Sequence, residues 1–217
     1  IVVGGLDEKD QENIAQQLSL VNAPLFFESL SGLRGTEIFQ DKGLKCGDAE
    51  VCQWLKIGIF ESVLRIGDVP VGRFWRDLDQ LRLPVVNFSN KEFMGLEKAE
   101  HYIGDLEFLD LADLKITGDY DQSLKVQDQK QFEKVEQIVG EFRNSEIDYF
   151  KQLSEKIPSD ESLFIGNSLP IRIWDLVNKN KRNLSASRGV NGIDGQLSTA
   201  FGEAQENKMN WVLLGDL

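Results

Sequence analysis

Three short tripeptides carry most of the chemistry legible in this sequence. "GNS" (166–168), "SRG" (187–189) and "GDL" (215–217) each close a short apolar run that reads as a buried strand. If the three strands are parallel, their carboxyl ends emerge on one edge, where ligands of open parallel sheets bind. That edge would gather Asn167, Ser168, Arg188 and Asp216. Arg172 follows Ser168 by four residues, so a helix starting at Ser168 puts both on one face near its N-terminus. Free N–H groups there attract anions, and two arginines can grip carboxylates bidentately. Equally, Ser168 could simply cap its helix and Arg172 simply solvate it. A strand-terminal aspartate such as Asp216 suits a hard cation that also bridges phosphate oxygens, although strand-end aspartates are common turn formers as well.

The glycine-rich "SRGVNGIDGQLSTAFG" (187–202) belongs to the same edge. "GVNG" reads as a tight turn directly beyond Arg188, and a helix is expected from Ile193 onward. That helix has an expected apolar stripe of Leu197, Phe201 and Ala204. A small stripe of Gly195, Thr199 and Gly202 would let a neighbouring backbone approach closely.

The elements that must position these residues follow from apolar patterning. Strands are expected at "IVVGG" (1–5), "PLFFE" (24–28), "SVLRIG" (62–67) and "PVVNFS" (84–89), with "LEFLDL" closing the unit. Helices are expected in "DEKDQENIAQQLSLV" and "GDAEVCQWLK", and from about Val71 to Leu81. Continuously apolar strands separated by helices imply βαβ crossovers and a mainly parallel sheet covered on both faces. Residues 112–128 are polar, with little that could pack, and mark the expected domain junction. Beyond it, Phe132, Val135, Ile138, Val139 and Phe142 have helical spacing. A second α/β run follows, with strands at "SLFIGN" (162–167), "NLSASR" (183–188) and "NWVLLGD" (210–216). The helices between them come from "SLPIRIWDLVN" and "GIDGQLSTAFGEAQE". The expected fold is therefore α/β: two doubly wound, mainly parallel units over 1–118 and 119–217, the second truncated.

Composition excludes several classes. A net charge of −12 over 217 residues argues against a non-specific nucleic-acid binder. No apolar run reaches the ~20 residues of a membrane span. Cys46 and Cys52 have no zinc or redox spacing and read as reduced cytosolic thiols. His101, the single histidine, lies in polar "KAEHYIG" and reads as a solvated loop or helix residue, so multi-histidine metal sites are not expected. "IVVGG" and "WVLLGDL" both look like buried strands at the chain ends, as expected of a piece of a larger protein.

"GNSLPIR", "SRGVNGIDGQLSTAFG" and "VLLGD", in this order and spacing, resemble one family of thiamine-diphosphate enzymes. These are the 2-succinyl-5-enolpyruvyl-6-hydroxy-3-cyclohexene-1-carboxylate synthases of menaquinone biosynthesis. "IVVGG", "PLFFESLSGLRG" and "VLRIGDVPVGR" are similar to the family's central domain, with more generic motifs. The resemblance implies the central domain plus the first half of the diphosphate-binding domain of a cytoplasmic homodimer or higher oligomer. It implies thiamine diphosphate and Mg2+ as cofactors, with Asp216 as the first metal ligand and Asn167, Gly215 and Leu217 near the diphosphate. It further implies Ile193 beneath the thiazolium, and Ser168, Arg172 and Arg188 facing 2-oxoglutarate and isochorismate. The implied reaction decarboxylates 2-oxoglutarate and adds the resulting carbanion to isochorismate. A second metal ligand and the cofactor-activating glutamate are not in this sequence, so the piece alone is expected to be inactive and to bind cofactor poorly. Phe74 follows Arg73 where relatives often carry a second basic residue, which leaves a substrate contact from Arg73 open. Another thiamine-diphosphate decarboxylase, related to acetolactate synthase, and a non-catalytic ligand-binding module are the alternative readings. "IVVGG" lacks the G-x-G-x-x-G spacing of a dinucleotide site.

Overall fold

The computed structural model describes residues 1–72, 77–92, 95–112, 114–116, 118, 120–182, 184–188 and 194–215. Two parallel sheets organise them. The first has the order β2-β1-β3-β4-β5, formed by β1 (Val2–Val3), β2 (Phe26–Phe27), β3 (Val63–Ile66), β4 (Val85–Ser89) and β5 (Glu100–Ile103). The second has the order β7-β6-β8, formed by β6 (Ser162–Ile165), β7 (Leu184–Ser185) and β8 (Asn210–Leu213). Every strand pair is parallel.

Alternation of side chains along each strand feeds two apolar layers in the first unit. Val2, Phe26 and Val63 face helix α2 (Asp48–Lys56), which buries Val51, Cys52, Trp54 and Leu55 against them. Val3, Phe27 and Ile66 face helix α1 (Glu8–Ser19), which contributes Ile14 and Leu18, four residues apart on one face. Strand order reverses between β1 and β3, the switch point where open sheets often open a crevice. Here the two loops are hydrogen-bonded to each other, Gly4 N to Ile66 O at 2.9 Å and Asp68 N to Gly5 O at 2.9 Å.

Two expectations are corrected in this half. His101 lies on β5, opposite Asn87, with Nε2 2.9 Å from Leu96 O. β5 is polar because it is an edge strand, and polar edges resist pairing with other chains. "LEFLDL" is not a strand: Leu106–Phe108 form a 3-10 turn, and Leu106 and Leu111 pack into the α1-side layer. Asn13 Nδ2 holds this turn through Leu106 O and Leu109 O. Residues 73–76, in the middle of the helix expected over Val71 to Leu81, lie outside the described residues.

The polar stretch 112–128 packs more than its composition suggests. Helix α3 (Gln122–Glu141) begins inside it, capped by Asp121 on Leu124 N at 2.8 Å, and Leu124 is buried in the first core. Asp128, also buried, accepts from Cys46 N at 2.9 Å and from Tyr120 Oη at 2.8 Å. Of the expected apolar stripe, Val139 is buried and Phe132 and Val135 are half-buried, but Ile138 and Phe142 are exposed. α3 stops at Glu141, Asn144 turns with φ of 62°, and Ser145 starts helix α4 (Glu146–Lys156). α4 and helix α5 (Leu169–Val177) cover the second sheet with Phe150, Ile157, Ile171, Trp174 and Val177.

A buried ion pair joins the units. Arg34 Nη2 lies 3.0 Å from Asp175 Oδ1, with side chains 12% and 8% exposed. The same guanidinium donates to Phe27 O (2.6 Å), Ser29 Oγ (3.1 Å) and Asn178 O (3.1 Å), and Asp175 Oδ1 also accepts from Ser29 N at 2.6 Å. Beside it, Gly35 at φ of 72° passes so close to α5's exit that a Cβ would lie 2.5 Å from Lys179 O. Breaking such a pair leaves one charge buried alone. Arg34→Ala should therefore destabilise the protein by about 3–5 kcal/mol, seen as a lower urea midpoint. An unchanged midpoint would contradict this role.

Candidate functional site

β6 runs into "GNS" at the edge where all three parallel strands of the second sheet end. Gly166 N donates to Leu213 O at 2.7 Å, and Gly166 O accepts from Ile171 N at 3.2 Å. The tip of β6 is thus tied both to β8 and to the first turn of α5. A Cβ on Gly166 would sit 2.7 Å from Gln196 Oε1, so a larger residue would displace the Gln196 side chain from the strand tip. Gln196 opens helix α6 (Gln196–Glu203) and is itself buried. Its Oε1 accepts from Asn167 N at 2.6 Å, which locks the strand tip to α6. Nothing in the sequence pattern set Gln196 apart from its polar neighbours.

Ser168 is exposed and makes no side-chain cap. It has φ of 72° and ψ of −123°, the geometry of the first central residue of a type II′ turn, which glycine normally occupies. A non-glycine residue there stores about 1–3 kcal/mol of strain, which is tolerated where the surrounding contacts fix the chain. The simple capping alternative is therefore excluded, and the helix starts at Leu169 with Pro170 in its first turn. Arg172, half-buried on α5, stands one turn further on.

Arg188 follows β7 and is half-buried. Its Nη2 donates to Pro70 O in the first unit at 2.9 Å. Burial holds its guanidinium below the ordinary value, the positive charge of Arg172 adds to that, and the Glu28 carboxyl opposes it. The fold thus brings Arg172 and Arg188 within electrostatic reach of each other, from different elements. Across the edge the tips run in the order Arg188, Asn167 with Ser168, then Gly215, since β6 lies between β7 and β8. Ile193, Asp216 and Leu217 lie outside the described residues, as do Arg73 and Phe74. Among the described residues no cluster of three or more histidine, cysteine, aspartate or glutamate side chains could hold a metal ion.

α6 departs from its expected orientation. Gln196 and Ala200 are its buried residues, while Leu197 and Phe201 are exposed. A Cβ on Gly195 or Gly202 would meet nothing within 4 Å, so the small stripe does not serve close backbone approach among the described residues. The helix is turned by Gln196 reaching the β6 tip, a polar contact that outranks the apolar spacing.

Sequence reasoning also missed Glu28. It sits just beyond β2 with no exposed surface, and Oε1 accepts from Val71 N at 2.7 Å and Gly72 N at 3.3 Å. Burial and the neighbouring Asp175 push its carboxyl up to about 8, opposed by the two N–H donors and Arg65. The available signal was an acidic residue ending an apolar strand, "PLFFE". The thiols, by contrast, are inert: both are free, and burial raises Cys46 and Cys52 above the usual thiol range.

Comparison with known proteins follows the same lines. The chain is 32% identical over 222 residues to the 2-succinyl-5-enolpyruvyl-6-hydroxy-3-cyclohexene-1-carboxylate synthase of Bdellovibrio bacteriovorus. That alignment takes in 100% of this chain and 42% of the relative. It is 31% identical over 224 residues to the same-named protein of Akkermansia muciniphila, again over 100% of this chain. The chain belongs to the 2-succinyl-5-enolpyruvyl-6-hydroxy-3-cyclohexene-1-carboxylate synthase family. A synthase of the family from Staphylococcus epidermidis is 42% identical over 73 residues, 33% of this chain. No protein-family model matches the chain. It spans about two fifths of the length of the curated synthases that it matches from end to end, 42% and 41% in the two cases above.

Ser168→Gly separates strain from chemistry. Strain relief of about 1–3 kcal/mol competes with about 0.4–1 kcal/mol of added unfolded-chain entropy. The variant should therefore unfold at the same temperature as the parent or a higher one, by differential scanning calorimetry. A clear fall in midpoint would mean that the hydroxyl stabilises the fold.

Proposed function

We propose that the full-length protein is a thiamine-diphosphate- and Mg2+-dependent synthase that decarboxylates 2-oxoglutarate and joins the remaining four-carbon unit to isochorismate. The observation that carries this reading is the pairing of Arg172 and Arg188 at the carboxyl edge of a parallel sheet, beside the strained Ser168 turn. The chain has 24 basic residues against 36 acidic ones, so two guanidiniums drawn together at one edge are a local exception to its acidity. The product named for the relatives carries three carboxylates, on its succinyl, enolpyruvyl and ring portions. Paired guanidiniums are the side chains best suited to bind such groups. In this reading Arg172 and Arg188 orient the acids, and the Ser168 hydroxyl, exposed on its turn, supplies a further hydrogen bond.

Two described residues, Asn167 and Gly215, support the cofactor reading. Gly215 offers bare backbone at the tip of β8, where a Cβ would already touch the Pro170 ring at 3.4 Å. Asn167 lies on the adjoining tip, joined to β8 through Gly166. In this reading Asn167, Gly215 and Leu217 would hold the diphosphate, Asp216 its Mg2+, and Ile193 the thiazolium face. When bound, the cofactor supplies the electron sink for loss of carbon dioxide. This chain's own contribution is to bind and orient the acids and to neutralise their charge. A central domain over 1–118 joined to the first part of a diphosphate-binding domain over 119–217 belongs to the same proposal. So do a cytoplasmic location and a homodimer or larger assembly. No helix among the described residues is long and apolar enough to cross a membrane.

Losing one charge-assisted hydrogen bond costs about 1.5–3 kcal/mol. Arg172→Ala and Arg188→Ala in the full-length protein should each raise KM for 2-oxoglutarate or isochorismate by roughly ten- to hundredfold. Steady-state kinetics with each substrate varied in turn would measure this. If both variants match the parent at subsaturating substrate, the arginine edge is not the acid-binding site.

A further inference from the structure

Glu28 has a place in the fold that packing alone does not explain. Its Oε1 takes the amides of Val71 and Gly72, while Oε2 makes no hydrogen bond to the described residues. One residue earlier in that segment, Pro70 O accepts from the Arg188 guanidinium. Segment 70–72 is therefore gripped on one side by a buried carboxyl of the first unit and on the other by the β7-tip arginine of the second. The charged groups facing Glu28 are Asp175 on α5, Arg65 on β3 and Arg188 beyond β7. Asp175 is itself held by Arg34, and Arg172 faces Arg188.

Two amide donors need an acceptor, not a charge. A glutamine would satisfy them without the several kcal/mol that a buried carboxylate costs. A titratable group within electrostatic reach of Arg188 does something a glutamine cannot: it changes the charge that Arg188 and its neighbour present together. We propose that Glu28 is a positioning residue that holds segment 70–72 beneath Arg188, and that its charge state sets how strongly the Arg172–Arg188 pair attracts a carboxylate ligand. This rests on the reading of the arginine edge as the acid-binding site.

The direction follows from the sign of the charges. With Glu28 neutral, both guanidiniums act on the ligand undiminished. Once Glu28 ionises, its negative charge offsets one of them. With the carboxyl at about 8, carboxylate binding is strongest near pH 7 and weakens toward pH 9. KM for 2-oxoglutarate in the full-length holoenzyme should rise several-fold over that range, up to about tenfold if the ionised form does not bind at all. Folding stability moves the same way. A carboxyl raised above its unfolded value contributes fully below about pH 4.5 and loses that contribution as pH rises through about 8.

The test is the pH profile of KM and kcat in the parent, Glu28→Gln and Arg188→Ala. Glu28→Gln keeps an acceptor for both amides but cannot ionise, so its KM should stay near the parent's pH 7 value through pH 9, with kcat retained. Lys179, which burial lowers to about 8, titrates in the same range, but it is present in both proteins and drops out of the comparison. Binding of the unreactive dicarboxylate glutarate at pH 8 should take up protons in the parent and not in Glu28→Gln, by calorimetry in two buffers of different ionisation heat. If Glu28→Gln does not fold, Lys179→Arg decides, since it removes the other group titrating in this range and its KM should still rise from pH 7 to 9. A parent KM flat from pH 7 to 9, or a Glu28→Gln profile parallel to the parent's, overturns the proposal. If Arg188→Ala has meanwhile raised KM, the acid-binding edge survives and the role of Glu28 alone is lost. If Arg188→Ala leaves KM unchanged, both fall together.

Discussion

The relation between the two sheets depends on one guanidinium. Arg34 makes an ion pair and hydrogen bonds that span the end of β2 and the end of α5, and Asp175 answers with a bond back to Ser29 N. An apolar seam would hold two α/β units together without fixing their angle, because dispersion and hydrophobic contacts are weakly directional. A planar fork with several acceptors around it has one good orientation. Val71 and Leu30 from the first unit then complete the apolar core beneath α5, so the polar clamp and the apolar packing share one geometry.

That clamp has a consequence for the edge of the second sheet. Arg188 rests on Pro70 O, in a loop that belongs to the first unit and is held there by Glu28. The position of a group at the tip of β7 is therefore set partly by residues more than a hundred positions earlier in the chain. Buried ionisable groups recur along this path, at Arg65, Glu28, Asp175 and Arg34. Each would be costly alone, and each is matched by opposite charge or by backbone donors. Arg65 illustrates the balance: burial lowers it to about 10, Glu28 and Asp68 oppose that, and its Nη2 donates to Asp68 O at 2.8 Å.

At the edge itself, geometry is held by small and polar contacts. Gly166 lets α6 close on the β6 tip, Gln196 caps Asn167 N, and Ser168 is forced into a conformation that glycine would adopt freely. Such preorganisation suits a site that must present donors and cations to ligands without rearranging. Meanwhile Leu197 and Phe201 point outward, because the polar contact of Gln196 decides which side of α6 faces the sheet.

The sequence by itself determined the class of fold and which strand ends share an edge. Apolar runs such as "IVV" and "LFI", set between helical patterns, read as strands covered on both faces, and the helices between them imply parallel connections. From that alone Asn167, Ser168 and Arg188 were assigned to one edge, and the parallel pairing of β6 with β7 and β8 agrees. Tertiary structure alone decided burial of the polar residues. Glu28, Asp128 and Gln196 look like ordinary surface residues in the sequence, because hydropathy records what a side chain prefers in isolation. Whether a carboxyl or an amide can be buried depends on donors and acceptors brought from distant segments, here the amides of Val71, Cys46 and Asn167. Periodicity likewise could not choose which face of α6 turns inward, nor that a polar edge strand would carry His101, since both depend on what the neighbouring elements leave uncovered.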